Sequence, residues 1–209
     1  DSVVIDPSNI FYNYSFNRVT DDRYIIRAIN FNRGLHDDLV ADLTVERGTK
    51  LIRESWKKDT LLFIKNNTGS TSVYTLNVKE TSPILTHLVD IILSEDKESI
   101  DDIKFLNNDE LVYVSDKLRD QGDPTLEYNY YRIPGNLGIV NIKDPSKNLA
   151  YSPTNTVKYG SSGYKLLSKT QDGRIFFQES GLADGGYGQY AWHIFDQNTK
   201  KVTLLNEKP

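Results

Sequence analysis

Along the chain, short runs of aromatic and β-branched residues alternate with clusters of Asn, Asp, Gly and Ser. Runs of this kind, bounded by turn formers, predict strands. The longest apolar runs, such as 61–64 and 111–114, fall far short of the roughly 20 residues that a membrane-spanning helix needs. Helical spacing stands out only around 83–93, where Leu85, Leu88, Val89 and Ile92 can share one face. The same stretch is rich in Ile, Leu and Val and reads equally as a strand followed by a loop. Ser94 followed by Glu95, Asp96 and Glu98 predicts a capped helical turn over 94–101.

One unit recurs. It begins with a polar turn carrying Asp and continues with three consecutive apolar or aromatic residues. The copies are Asp22-Arg23-Tyr24-Ile25-Ile26, Asp59-Thr60-Leu61-Leu62-Phe63, Asp109-Glu110-Leu111-Val112-Tyr113 and Asp172-Gly173-Arg174-Ile175-Phe176-Phe177, the last with one extra turn residue. The units start roughly 37, 50 and 64 residues apart, so the loops vary while the strands persist. Each copy leads through a loop to a second strand: Leu39-Val40-Ala41-Asp42-Leu43, Val73-Tyr74-Thr75-Leu76, Tyr130-Tyr131-Arg132-Ile133 and Ala191-Trp192-His193-Ile194. A third follows a turn: Lys50-Leu51-Ile52, Ile84-Leu85-Thr86, Gly138-Ile139-Val140-Asn141-Ile142 and Lys201-Val202-Thr203-Leu204-Leu205. An apolar strand also precedes most of the turns, as at Ile103-Lys104-Phe105-Leu106 and Tyr164-Lys165-Leu166-Leu167.

Four strands per unit, with a tight turn between the first two, predict a propeller blade. Stacked blades bury both faces of their inner strands, which explains runs that are apolar on both sides. The Asp or Asp-Gly turn is expected to supply the positive-φ residues of a two-residue hairpin. Asn107-Asn108-Asp109-Glu110-Leu111-Val112-Tyr113-Val114 and Gln171-Asp172-Gly173-Arg174-Ile175-Phe176-Phe177 resemble the blade motifs of TolB-like and dipeptidyl-peptidase-like β-propellers. The resemblance extends over the last three copies and is weakest in the first. It implies a scaffold for binding rather than an activity. The Trp-Asp and Gly-His signatures of WD40 proteins are absent. The expected fold is therefore all-β, a propeller-like stack of about four four-stranded antiparallel blades in a single domain over 1–209. A β-sandwich is the alternative, and an α+β fold is the third.

Composition narrows the function classes. Hydrophobic residues make up 38% and aromatics 11%, too much apolar surface for a disordered chain. The net charge of −4 argues against a general nucleic-acid binder, which needs a basic face to neutralise phosphates. The lack of cysteine excludes disulfides, zinc ribbons, iron–sulfur clusters and thiol catalysis. The chain starts at Asp1 and contains no methionine, which is expected of a processed form or of a domain from a longer protein. The abundance of Asn, Asp, Lys, Ile and Tyr looks like an AT-rich genome, and the lack of cysteine fits exported proteins of bacteria that make few disulfides, so the expected setting is extracytoplasmic: the bacterial cell envelope or the secreted fraction. A segment outside this chain, such as a lipoprotein anchor, would supply any membrane tether.

Candidate chemistry is sparse. His36, His87 and His193 are far apart and form none of the helix-borne metal motifs, so no metal and no cofactor is expected. His193 reads as a packed or half-exposed strand residue, and His36 as part of a solvated loop. No nucleophile elbow, phosphate loop or dinucleotide fingerprint is present. The acidic stretch 95–102 lacks the spacing of a calcium loop. Two segments remain. The insertion 117–131 and the glycine-rich stretch 181–192 both join the Asp-turn strand to the aromatic strand of their units. Both combine loop length with rigid aromatic contact area. The candidate binding residues are Tyr128, Tyr130, Tyr187, Tyr190 and Trp192. The expected function is a non-catalytic module that binds a protein or a carbohydrate. The alternatives are a carbohydrate-active hydrolase using two carboxylates and a structural domain of a surface protein.

Overall fold

The computed structural model describes residues 14–30, 36–52, 55–120, 130–153, 159–182 and 188–205. Among them the fold is all-β. The strands in chain order are β1 (Tyr14–Thr20), β2 (Arg23–Asn30), β3 (His36–Thr44), β4 (Lys50–Ile52), β5 (Thr60–Asn67), β6 (Ser70–Asn77), β7 (Thr86–Ile92) and β8 (Glu98–Phe105). They continue as β9 (Glu110–Asp120), β10 (Tyr130–Asn141), β11 (Leu149–Tyr151), β12 (Tyr159–Lys169), β13 (Arg174–Leu182), β14 (Gly188–Asp196) and β15 (Lys201–Leu205). One 3-10 turn, Pro145–Lys147, precedes β11.

The strands form four antiparallel sheets, β1-β2-β3, β4-β5-β6-β7, β8-β9-β10-β11 and β12-β13-β14-β15. Within each, neighbours in the sheet are neighbours in the chain, which is the strand order of a propeller blade. By contacts the chain divides into two compact units, residues 1–66 with 72–90, and 67–71 with 91–209.

The four Asp turns occupy one place. Each opens the second strand of its sheet, at β2, β5, β9 and β13. A backbone hydrogen bond repeats with them. The residue just past the third strand donates its N–H to the turn carbonyl: Val45 to Asp22 (2.7 Å), Val78 to Asp59 (2.9 Å), Ile142 to Asp109 (2.8 Å) and Gln197 to Gly173 (3.0 Å). The fourth copy uses Gly173 in place of Asp172, which absorbs its extra residue. Counted from this bond, Ile26, Phe63, Tyr113 and Phe177 are equivalent, and all are buried.

Burial separates the sheets into two kinds. In β5 and β9 the runs 61–64 and 111–116 are buried residue after residue, so both faces are covered. In β13 and β14 burial alternates, with Ile175, Phe177 and Glu179 and then Ala191, His193 and Phe195 on the covered face.

In the first unit, Tyr24, Ile26, Ala41 and Leu43 pack with Leu61, Phe63, Leu76 and Val78 into one cluster. Tyr24 meets Phe63 edge to face at 5.6 Å and donates its hydroxyl to the Thr49 carbonyl at 2.9 Å. In the second unit, β12 lies against β8, β9 and β10. Three polar contacts set its direction. The Asp116 carboxylate reaches Gly163 so closely that a Cβ there would lie 2.6 Å from it. The Leu166 N–H donates to Asp102 at 3.2 Å. Lys169 Nζ donates to the carbonyls of Phe105 (3.1 Å) and Leu106 (2.5 Å).

Several expectations are corrected. Lys50–Ile52 does not close the first sheet. It pairs with β5, Leu51 opposite Phe63, and starts the second sheet, because the turn through Gly48 (φ +89°) carries the chain away from β3. Among the described residues the first sheet comprises the three strands β1-β2-β3. The segments 130–133 and 138–142 are not separate strands: 130–141 is the single strand β10, whose register slips between Pro134 and Leu137, and the fourth strand is β11. The stretch 83–93 is not helical. Val89, Ile91 and Leu93 are buried while Asp90 and Ile92 are exposed, a period of two. Ser94 binds Glu98, as a capped turn requires, but the chain enters β8 instead of a helix. Positive φ occurs at Asp59 and Gly173 but at neither Asp22 nor Asp109. At the third turn the Asn107 side chain does the bending, its Oδ1 accepting the Asp109 N–H at 2.9 Å.

Candidate functional site

The direction of β12 fixes which ends of the third and fourth sheets coincide. Running down β12, Gly163 meets Asp116, Leu166 meets Asp102 and Lys169 meets the carbonyls that end β8. β9 and β13 therefore both ascend, and the hairpins β9–β10 and β13–β14 emerge at the same end of this unit. Both occupy the link between second and third strand, as the repeat requires.

The hairpins are longer ladders than the sequence implied. Of the loop expected over 117–131, residues 117–120 and 130–131 are in strands, with Tyr130 opposite Asp120. Of the loop expected over 181–192, residues 181–182 and 188–192 are in strands, with Leu182 opposite Gly188. Backbone pairing continues because each added rung satisfies the N–H and C=O groups of both arms. Tyr128 and Tyr187 lie outside the described residues, and Tyr130 is placed by its backbone alone. Tyr190 and Trp192 lie on one face of β14. Tyr190 is 51% exposed and Trp192 half-buried. Across the ladder they stand opposite Ser180 and Gln178, and Ile194 on the same face stands opposite Phe176. The result is a stripe of rings and methyls interleaved with one hydroxyl and one amide.

The other face of the fourth sheet holds a pair that sequence reasoning missed. His193 Nε2 lies 3.1 Å from Glu179 Oε2, and both side chains are buried. The imidazole stacks on Phe177, its opposite number on β13, at 4.9 Å and 13°. Tyr164 stands edge-on to Phe177 at 5.4 Å. Burial, with the Glu179 charge beside it, pushes the Tyr164 phenol well above its ordinary value. His193 also borders a cavity of about 590 Å³ between the outer strands of the two sheets, with Tyr151, Ser152 and Leu204 on its walls. Glu179 and His193 are 14 residues apart, and only the strand register brings them together. His87 is half-exposed and pairs with Asp90 at 3.0 Å. His36 opens β3 rather than a loop, since the Asn30–His36 pairing closes the β2–β3 ladder. Among the described residues no group of three His, Cys, Asp or Glu side chains is placed to hold a metal ion.

A second polar network was equally illegible. In the third sheet Glu98, Ser115 and Asn136 are all buried. The Asn136 N–H donates to Ser115 Oγ at 2.8 Å, its side-chain amide donates to Glu98 at 2.9 Å, and the Ser115 hydroxyl donates to Glu98. Ser152 donates to Asn136 Oδ1 at 2.6 Å. Register slips flank the network, between Ile100 and Asp102 on one side and Pro134 and Leu137 on the other, and such bulges re-aim side chains near functional sites.

Compared with protein-family models and with curated proteins, the chain matches none.

Proposed function

We propose that the chain is a non-catalytic binding module whose ligand, a protein or a carbohydrate, engages the paired hairpins of the second unit. One observation carries the reading. Two long hairpins leave neighbouring sheets at the same end, and one face of the β13–β14 hairpin carries Tyr190, Trp192 and Ile194 in a row on β14 beside Ser180, Gln178 and Phe176 on β13. Flat rings give contact area at low entropic cost, and the Gln178 amide beside them supplies directional hydrogen bonds. The resemblance to TolB-like blades favours the same role, a scaffold for recognition. A bacterial extracytoplasmic setting accords with the cysteine-free composition, and no helix among the described residues is long and apolar enough to cross a membrane.

The test uses the full chain, immobilised and probed with envelope polysaccharides and with solubilised envelope proteins. Tyr190→Ser, at an exposed site, should leave the fold intact by circular dichroism and weaken retention. A combined Tyr128→Ser and Tyr187→Ser variant should abolish it. Unchanged retention in both variants refutes the reading, as does retention of no component at all.

A further inference from the structure

Glu98 opens β8 with only 3% of its surface exposed. Its oxygens receive four hydrogen bonds. Oε2 accepts the Ser94 N–H at 3.2 Å and the Ser94 hydroxyl at 2.6 Å. Oε1 accepts the Ser115 hydroxyl and the Asn136 amide. All four donors are neutral. Among the described residues no Lys, Arg or His forms an ion pair with Glu98; its cross-strand neighbour Lys117 turns instead to Glu95, at 2.8 Å. A carboxylate out of water and without a cation is poorly compensated even when its oxygens are hydrogen-bonded.

Beside it lies a cavity of about 470 Å³. Its polar wall is Glu98 with Asn136, Asn148 and the Tyr113 hydroxyl, and its apolar wall is Leu93, Pro145 and Ala150. Among the described residues no lysine, arginine or histidine lines it. The polar groups there are held in place from behind. The Tyr113 hydroxyl donates to Asn148 Oδ1 at 3.1 Å, and the Asn148 amide donates to the Ile92 carbonyl at 3.1 Å. Asn136 Oδ1 already takes the Ser152 hydroxyl. Both amide NH2 groups are thus turned onto protein acceptors, while each amide oxygen keeps a second lone pair. The cavity therefore offers acceptors and negative charge at one wall and apolar surface at the other.

We propose that this cavity binds a small primary ammonium with a short apolar tail, its charged head hydrogen-bonded to the Asn136 and Asn148 oxygens beside the Glu98 charge, its tail against Leu93, Pro145 and Ala150. The four acceptor sites of Glu98 are already filled, so its part is charge: the head supplies the positive charge that the buried carboxylate lacks, while its N–H groups match the second lone pairs of Asn136 Oδ1 and Asn148 Oδ1. A carboxylate ligand would meet Glu98 with like charge, and a neutral polyol would leave the charge uncompensated. The site is separate from the hairpin surface, and neither proposal depends on the other.

The experiment is a calorimetric titration of the full chain with n-butylammonium, n-butanol, butanoate and glucose, run on three proteins. The wild type should bind n-butylammonium and none of the others measurably. Glu98→Gln keeps the size of the side chain and removes the charge, at the cost of turning one oxygen that accepts two hydrogen bonds into an NH2 donor. It should bind the amine more weakly by about thirtyfold or more, as expected for loss of one partner of a desolvated charge pair. Ala150→Leu fills the cavity from exposed β11, where it does not disturb the core, and should block binding with the circular dichroism spectrum unchanged. Should Glu98→Gln fail to fold, Ala150→Leu decides. The proposal is overturned if n-butanol, butanoate or glucose binds as well as the amine, if a folded Glu98→Gln binds it unchanged, or if Ala150→Leu does.

Discussion

Gly138 is the position where one methyl group should do the most damage. It sits opposite Tyr113 in the β9–β10 ladder, and the phenol ring lies over its Cα. A Cβ at Gly138 would fall 2.0 Å from Tyr113 Cζ, 2.3 Å from Cε1 and 2.4 Å from Oη. The ring cannot step aside at no cost, because it is buried and its hydroxyl is tied to Asn148. Overpacking of this kind costs about 1–3 kcal/mol, sometimes more. Against it stands the stabilisation that Gly→Ala ordinarily brings through the unfolded chain, about 0.4–1 kcal/mol. A net loss of about 2 kcal/mol or more is expected for Gly138→Ala, since the clash is with a ring on both sides of which the sheet is covered. Tyr113→Ala should lose about 3–5 kcal/mol on its own. With the ring gone, Gly138→Ala has nothing to strike, and in that background it should be neutral or slightly stabilising. Urea titrations of the four proteins of this double-mutant cycle, followed by the fluorescence of Trp56 and Trp192, measure the coupling directly. Additive losses, or a neutral Gly138→Ala in the wild-type background, would refute the placement of the ring.

Two further outcomes follow from the register and the burial. Phe177→Ala and Phe63→Ala should each lose about 3–5 kcal/mol in urea titrations, whereas Phe176→Ala, on the half-buried face, should lose clearly less; the reverse order would mean that β13 is slipped by one residue. Burial, eased by the Asn148 hydrogen bond and reinforced by the Glu98 charge, pushes the Tyr113 phenol up to about 12. The unfolded chain then ionises at this residue first, near the ordinary value of about 10. The stability associated with Tyr113 is therefore complete below that value and falls as pH rises from about 10 to about 12. Tyr113→Phe should flatten that part of the pH profile, and ultraviolet titration of the folded protein should lose one late-ionising phenol.

What was legible in the sequence was local. The Asp turn followed by three apolar residues located the second strand of all four sheets, because turn chemistry and burial on both faces act within a handful of residues. The Leu111-Val112-Tyr113-Val114 and Leu61-Leu62-Phe63-Ile64 runs marked strands covered on two sides for the same reason. A second repeat signal went unread. Asn77, Asn141 and Asp196 end their third strands and each accepts the N–H two residues on, at 3.0, 3.0 and 2.8 Å. That spacing, read as a turn cap, would have kept β10 whole; the third strand of the first sheet ends at Thr44 and carries no such signal. The candidate site was half legible. Tyr190 and Trp192 were found from composition and position in the repeat, but their shared face depends on the β13–β14 register. Glu98, Ser115 and Asn136 carry no motif: 17 residues separate the first two and 21 the second two, and only cross-strand pairing brings them together. Glu179 and His193 are hidden in the same way. A period-two pattern says that a residue faces inward, not which polar partner it will meet there.

The claim on which the binding reading depends is that the β9–β10 and β13–β14 hairpins leave the second unit at the same end. The chain has no cysteine, so spin labels can be placed without removing any. Leu118 and Tyr190 are exposed near the hairpin ends, and Asn108 is exposed at the opposite end of β9. Pulsed dipolar spectroscopy on Leu118→Cys with Tyr190→Cys, compared with Asn108→Cys with Tyr190→Cys, measures the two separations. Tyr190 stands at the level of Asp116 through Ser180 and Gly163. Asn108 lies some eight residues from that level and Leu118 some two, so with a lateral offset of about 10–20 Å between the strands the separation from Asn108 should exceed that from Leu118 by roughly 10–15 Å. Equal separations, or a shorter one from Asn108, would place the hairpins at different ends and contradict the shared binding surface.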